Sequence, residues 1–259
     1  MTFKINFNKI VGMNYFEQLF KRKSFHLFIG GDKVSSGELT AVNNFIKEVK
    51  PLYKDIKTEI VVVPEKETTC HRGAEYCILF YSETKGEYLR NIGYIGEQID
   101  LFLASLNLGA LWFGIGKPKV VKDNGLEYVI MIAFKKMSPD SFRKDMYKSK
   151  RKPLEEIWSG DDLGIANIVR FAPSACNTQP WRVENKNNEL FIYRYKKAGK
   201  RGIMPVEKVM YYNRIDIGIF LFILETCLDH SKVSFKKELL EDTSDNAVEN
   251  TLVAKFRLL

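Results

Sequence analysis

The sequence predicts an α+β protein built from two related halves. Three observations lead there. β-Branched strands alternate with amphipathic helices, two pairs of segments recur about 122 residues apart, and the composition (45% hydrophobic, 28% charged) is that of an ordinary soluble globular chain. At 259 residues the chain is one large domain or two small ones. It buries enough surface to fold without a disulfide or metal staple. Disorder, collagen-like repeats and low-complexity assembly are excluded.

Residues 13–23 place Phe16, Leu19 and Phe20 on one helical face. Gly30-Gly31 breaks the chain, and Ser35-Ser36-Gly37-Glu38 reads as a helix start with an acid in its first turn. The helix is expected over 38–50, stopped by Pro51. EIVVV at 59–63, ended by Pro64, and EYCILFY at 75–81 read as strands. A long helix is expected from Asn91, where Ile92, Ile95, Ile99, Phe102, Leu103 and Leu106 recur every three or four residues, with Leu108-Gly109 as its cap. EYVIMIAF at 127–134 is a third strand, and the polar, basic stretch 138–152 is a loop or linker. A helix over 162–171 and an apolar helix opening at Asn213 follow. The charged tail 231–259 reads as a loop, EDTSDNAVEN, before a closing strand, LVAKFRLL.

The later elements echo the earlier ones. Ser159-Gly160-Asp161 repeats Ser36-Gly37-Glu38, with continuations LGIANIV and LTAVNNF. The run beginning Asn213-Arg214-Ile215 repeats that beginning Asn91-Ile92-Gly93 at nearly the same offset. Two matches at one offset predict a duplicated unit, with halves at 1–155 and 156–259. Such halves are expected to pack like the subunits of a two-fold dimer fused into one chain, in which one copy of an interface site is kept and the other lost.

Lysine and arginine number 40 against 32 acids, a formal charge of +8. The excess favours an anionic ligand without demanding nucleic acid. Cys70, Cys77, Cys176 and Cys227 form no CxxC pair and read as free thiols. The N-terminus has lysines within it and no apolar targeting core, and the longest apolar run, IGIFLFIL at 217–224, is far too short to span a membrane. A cytoplasmic protein is expected.

Ala172-Pro173-Ser174-Ala175-Cys176-Asn177-Thr178-Gln179-Pro180-Trp181 is the most specific segment. Two prolines bracket amides and a hydroxyl, a composition suited to a polar heterocycle with donor and acceptor edges. By itself it fits better a rigid turn whose polar groups satisfy each other. Arg22-Lys23-Ser24 and the run Lys150-Arg151-Lys152 offer cations for an anion, or are solvated surface. Cys70, His71 and Cys77 match no standard zinc spacing, so no metal site is expected. Cys176 reads as a small packed residue and His230 as structural. Gly114-Ile115-Gly116-Lys117 lacks the other glycines of a phosphate loop.

The APSxxNxQPW loop resembles the hallmark of the flavin-dependent nitroreductase family. Arg22-Lys23-Ser24-Phe25-His26-Leu27-Phe28 is similar to that family's RRSxRxF segment, and Lys150-Arg151-Lys152-Pro153-Leu154-Glu155-Glu156-Ile157 to its basic tail and RKPLEE-type sequence. Leu108-Gly109-Ala110-Leu111-Trp112-Phe113-Gly114 is similar to the stretch after the central helix. The order differs, since the APS loop here follows the basic tail, which a subfamily with two halves fused in one chain accounts for. The resemblance implies a nitroreductase-like FMN-binding fold arranged as an internal pseudo-dimer. It implies cofactor contacts at Arg22, Lys23, Ser24, His26, Gly114, Arg151, Pro173, Ser174, Asn177 and Gln179. His26 stands where the family has a second Arg, for which Arg72 or a lysine is a candidate substitute.

The implied activity is FMN-dependent oxidoreduction, from NAD(P)H through FMN to a nitroaromatic, a quinone or a similar small-molecule acceptor. The flavin does the chemistry, so no protein acid or base is assigned. A monomer holding one FMN is expected, with no nucleic-acid or membrane partner. A flavin carrier or sensor without turnover, and a basic nucleic-acid-binding protein, are the competing readings.

Overall fold

A computed structural model of the chain describes residues 13–120, 122, 125–195, 202–243 and 250–259. In order, the elements are α1 (Tyr15–Lys21), α2 (Ser36–Ile46), β1 (Thr58–Pro64), β2 (Tyr76–Ser82), α3 (Tyr88–Ser105), β3 (Leu108–Phe113), β4 (Glu127–Lys136) and α4 (Leu154–Ile157). There follow β5 (Trp158–Ser159), α5 (Ala166–Val169), β6 (Trp181–Lys186), β7 (Glu189–Tyr195), α6 (Val209–His230), β8 (Phe235–Leu239) and β9 (Asn250–Leu258). They form two compact units. The first takes its described residues from Met1–Lys50, Lys57–Thr84 and Gln98–Met146, the second from Pro51–Ile56, Lys85–Glu97 and Tyr147–Leu259. Helix α3 therefore begins in the second unit and ends in the first.

The first unit is an antiparallel sheet of order β1-β2-β4-β3 with α2 and the end of α3. A reciprocal cap starts α2, in which Ser35 Oγ accepts the Glu38 N–H and the Glu38 carboxylate accepts the Ser35 N–H. Strand β2 alternates as a strand buried on both faces must. Cys77, Leu79 and Tyr81 join Phe25, Phe28, Leu111, Met131 and Phe142 in one apolar cluster, while Ile78 and Phe80 are buried on the other side. Phe45 of α2 stacks on Phe102 of α3 with centroids 4.0 Å apart.

The second unit has the sheet order β5-β6-β7-β9-β8, with β5 parallel to β6 and the rest antiparallel. Leaving aside β5, this order repeats that of the first unit, and in each the long helix follows the second strand. The bulge repeats too. The register slips between Phe80 and Tyr81, skipping Val129, and between Ile192 and Tyr193, skipping Val253. Trp181 of β6 stacks on Phe220 of α6 at 4.8 Å. The buried Arg194 is bound by the Asp242 carboxylate. The buried Arg90 donates to Tyr53 Oη and to the carbonyls of Leu240 and Val253 and pairs with Glu87 at 3.0 Å. These partners answer the cost of enclosing guanidinium groups.

Within this unit the start of α3 crosses α6 with backbone against backbone. A Cβ on Gly93 would overlap the Ile215 carbonyl oxygen, and one on Gly218 would overlap that of Arg90. The contacts are reciprocal, because a shift of 125 residues carries Gly93 to Gly218 and Arg90 to Ile215. The sequence echo had aligned Asn91 with Asn213, three residues short of this, because the asparagines match by identity while the glycines match by packing.

Several elements differ from expectation. Helix α2 stops at Ile46 rather than at Pro51. Leu108-Gly109 starts strand β3 instead of capping α3, since the chain turns at Asn107 with φ 58°. The expected helix over 162–171 shrinks to the four residues of α5, because Leu163 and Gly164 take left-handed φ of 53° and 68° that no α-helix continues through. Helix α6 opens at Val209, so Asn213 lies in its second turn. The expected N-terminal reading and most of the 241–250 loop lie outside the described residues. No helix among the described residues is long and apolar enough to cross a membrane.

The crossing predicts a specific sensitivity. Gly93→Ala and Gly218→Ala each force a methyl against a fixed carbonyl, overpacking that costs about 1–3 kcal/mol, read as a drop in Tm of roughly 2–10 °C for a chain of this size. Two variants melting within a degree of the parent would show that the helices do not meet this closely.

Candidate functional site

The loop after α5 is held in a shape that few residues adopt freely. Cys176, Asn177 and Gln179 have φ of 49°, 55° and 48°, left-handed values that cost of order 1–3 kcal/mol at a non-glycine residue unless the surroundings impose them. Here they do. Ser174 Oγ accepts the Gln179 N–H at 2.9 Å, Thr178 Oγ1 donates to the Ala175 carbonyl at 3.0 Å, and the Ala175 N–H donates to Asp216 Oδ1 of α6 at 2.9 Å.

The basic run closes over this frame. Arg151 Nη1 donates to Asn177 Oδ1 at 3.0 Å and Nη2 to the Phe171 carbonyl at 3.1 Å, while Asn177 Nδ2 donates to the Lys150 carbonyl at 3.1 Å. Gln179 Oε1 accepts the Lys152 N–H at 2.9 Å, and Lys152 Nζ reaches the Gln179 carbonyl at 3.0 Å. The linker expected at 138–152 thus ends as part of the loop's own cluster, in the same unit. Gln179 is buried and Asn177 exposed. An amide and a guanidinium therefore stand together at the surface on a rigid base, with Pro173 and Ser174 half-buried beside them.

The N-terminal basic segment belongs to the first unit. Arg22 is only 5% exposed, and its Nε donates to Asp100 Oδ2 at 2.8 Å. The same carboxylate oxygen accepts Trp112 Nε1 at 2.9 Å. A buried ion pair occupies the arginine that the sequence offered as an anion ligand. Ser24 forms a parallel bridge with Ala110, Lys23 lies over the Phe25 ring at 4.7 Å, His26 is exposed, and Gly114 is half-buried.

Sequence reasoning passed over Arg143. Burial, then the neighbouring Arg22, press its pKa down to about 10 against the pull of Asp100. Two guanidiniums lean on one carboxylate, so this part of the first unit keeps positive charge. Only a fold that brings residue 143 to the Lys21 carbonyl distinguishes it from other cations in the run. Arg72 lies over the Phe113 ring. Cys70 and Cys77 are buried together beside Thr68, and the Cys70 N–H donates to Thr68 Oγ1. Among the described residues no cluster of three or more His, Cys, Asp or Glu could hold a metal ion.

The family model described as "Putative TM nitroreductase" matches residues 14–227. Among solved structures, a "putative nitroreductase" from Thermotoga maritima is similar over 95% of this chain and 94% of its own, at 21% identity and a TM-score of 0.58, a likeness of fold. A "Putative NADH dehydrogenase/NAD(P)H nitroreductase" from Bacteroides thetaiotaomicron matches at 15% identity and a TM-score of 0.44, over 56% of this chain and 96% of its own. A "putative nitroreductase in complex with fmn" from Desulfovibrio desulfuricans matches at 16% identity and 0.40, over 56% and 94%. No curated protein matches.

Removing the carboxylate from the Arg22 pair leaves a buried cation without its counter-charge. Asp100→Ala is expected to destabilise the protein by about 3–5 kcal/mol in urea unfolding. A loss below about 1 kcal/mol, the ceiling for exposed pairs, would mean that the pair is effectively solvated.

Proposed function

The chain belongs to the TM nitroreductase family, and on that premise we propose that it binds FMN and acts as an oxidoreductase. NAD(P)H supplies the reducing equivalents, and a nitroaromatic, quinone or similar small electrophile receives them. The observation that carries the reading is the loop at 173–179, rigid beneath and polar above, with Asn177 and Arg151 3.0 Å apart at its surface.

The donor set fits the cofactor. A flavin's pyrimidine edge alternates donors and acceptors, and a carboxamide beside a guanidinium answers both while adding positive charge that favours the anionic reduced ring. In this proposal Asn177, Arg151, Pro173, Ser174 and Gln179 hold or frame the ring edge. In the first unit Lys23, Ser24, His26 and Gly114 are proposed as anion contacts by themselves, with Arg22, held by Asp100, and Arg143 supplying positive charge behind them. Bound FMN supplies the hydride and electron chemistry, and the chain's own residues bind it, orient it and bias its charge.

The proposal includes the internal duplication. Shared sheet order, shared bulges and the reciprocal helix crossing support two copies of one ancestral unit. Aligning Pro51 with Pro173 sets Leu52, Asp55 and Lys57 against Ser174, Asn177 and Gln179. The first copy of the loop has thus lost the groups that the second retains, and the chain is expected to work as a monomer with a single flavin loop.

Purified protein should be yellow and should oxidise NAD(P)H when an acceptor is added. Asn177→Ala and Arg151→Ala each remove a hydrogen-bonding group worth about 1–3 kcal/mol and should weaken FMN about ten- to hundred-fold. Fluorescence titration of the apoprotein measures this. Unchanged affinity in both variants would remove the loop from the site, and bound flavin without NAD(P)H turnover would make the protein a carrier.

A further inference from the structure

Each long helix of the second unit pins a loop with one side chain. Asn91 of α3 accepts the Tyr53 N–H on Oδ1 at 3.0 Å, and Asp216 of α6 accepts the Ala175 N–H on Oδ1 at 2.9 Å. The shift of 125 residues that relates the glycines also carries Asn91 to Asp216. Tyr53 and Ala175 lie two residues after Pro51 and Pro173. The two anchors are counterparts. One is a neutral amide, and the other is formally an acid.

Asp216 is 3% exposed, immediately before the longest apolar run of the chain. Its Oδ2 is buried without a hydrogen-bond partner among the described residues, as is Nδ2 of Asn91. The described cations on elements packed against α6 are held by other groups, Arg90 of α3 by Glu87, Tyr53 Oη and the Leu240 and Val253 carbonyls among them. Arg170 binds Asn167 and the Lys152 carbonyl, Arg194 and Arg214 bind Asp242, and Lys208 lies over Tyr211. Cys176 on the loop and Tyr212 one turn earlier on α6 are side chains that never carry positive charge.

We propose that Asp216 is a positioning residue that holds the 173–179 loop as a neutral carboxylic acid, performing with its carbonyl oxygen the task Asn91 performs with an amide. Burial favours the protonated form and drives its pKa well above the ordinary carboxylate range, opposed only by the Ala175 N–H. An ionised carboxylate here has one N–H and, among the described residues, no cation, so ionisation favours admitting water between loop and helix. The loop's stability therefore depends on pH through a group that does not itself touch a ligand.

The sign follows from linkage. The folded chain binds this proton more tightly than the unfolded chain, whose Asp titrates near about 4. The contribution is therefore favourable in acid and is lost as pH rises towards the folded value.

The test compares melting of the apoprotein and of Asp216→Asn between about pH 5 and pH 9, with exchange of the Ala175 amide followed by NMR. It needs no flavin, so its failure is separable from failure of the functional reading. Asp216→Asn should melt several degrees above the parent at about pH 8, with the gap closing in acid, and should keep the Ala175 amide protected. Asn91→Asp should import the same pH-dependent loss at the Tyr53 loop. Asp216→Leu should lose the Ala175 protection at every pH. Parallel melting curves for parent and Asp216→Asn, or an Asp216→Asn variant that unfolds or loses protection, would overturn the proposal.

Discussion

Backbone meets backbone where α3 and α6 cross, and the second unit is organised around that contact. Only hydrogen fits on Gly93 and Gly218, since any Cβ would enter the facing carbonyl. So close an approach fixes both the separation and the rotation of the two helices. Once they are fixed, Asn91 and Asp216 stand at equivalent places and each reaches the amide of a loop that follows a proline. The glycines set the helices, the helices carry the anchors, and the anchors shape the loops.

The surrounding polar groups extend the arrangement. Arg90 ties the Tyr53 loop to the carbonyls of Leu240 and Val253. Glu87 accepts the Asp242 N–H, and Asp242 holds Arg194. Such buried networks give little net stability, but losing one partner is expensive, which favours one geometry over its neighbours. At the loop, Arg151 and Lys152 do the same from outside, crossing Asn177 and Gln179 so that three left-handed residues keep their conformation.

Much of this was legible in the residues. EIVVV and EYVIMIAF gave their strands to within one or two positions, because β-branched runs have few alternatives. The APS-type loop was recognisable because its prolines and amides sit at fixed spacing. What escaped depended on distant partners or on single dihedrals. Nothing local marks Arg22 as the partner of an aspartate 78 residues away. Arg151 and Asn177 were both implied as cofactor contacts, but the bond between them becomes visible only in the fold. Leu163 and Gly164 broke a helix that their apolar neighbours advertised. Asp216 looked like the mere edge of an apolar run, when it is a buried group that anchors a loop.

The central claim is that two related loops flank one helix crossing and that only the second kept its ligand groups. Flavin released on denaturation, counted per chain and combined with mass from light scattering, tests this most directly. The account predicts one FMN per chain in a monomer. Two flavins per chain, or one flavin shared by two chains, would contradict it.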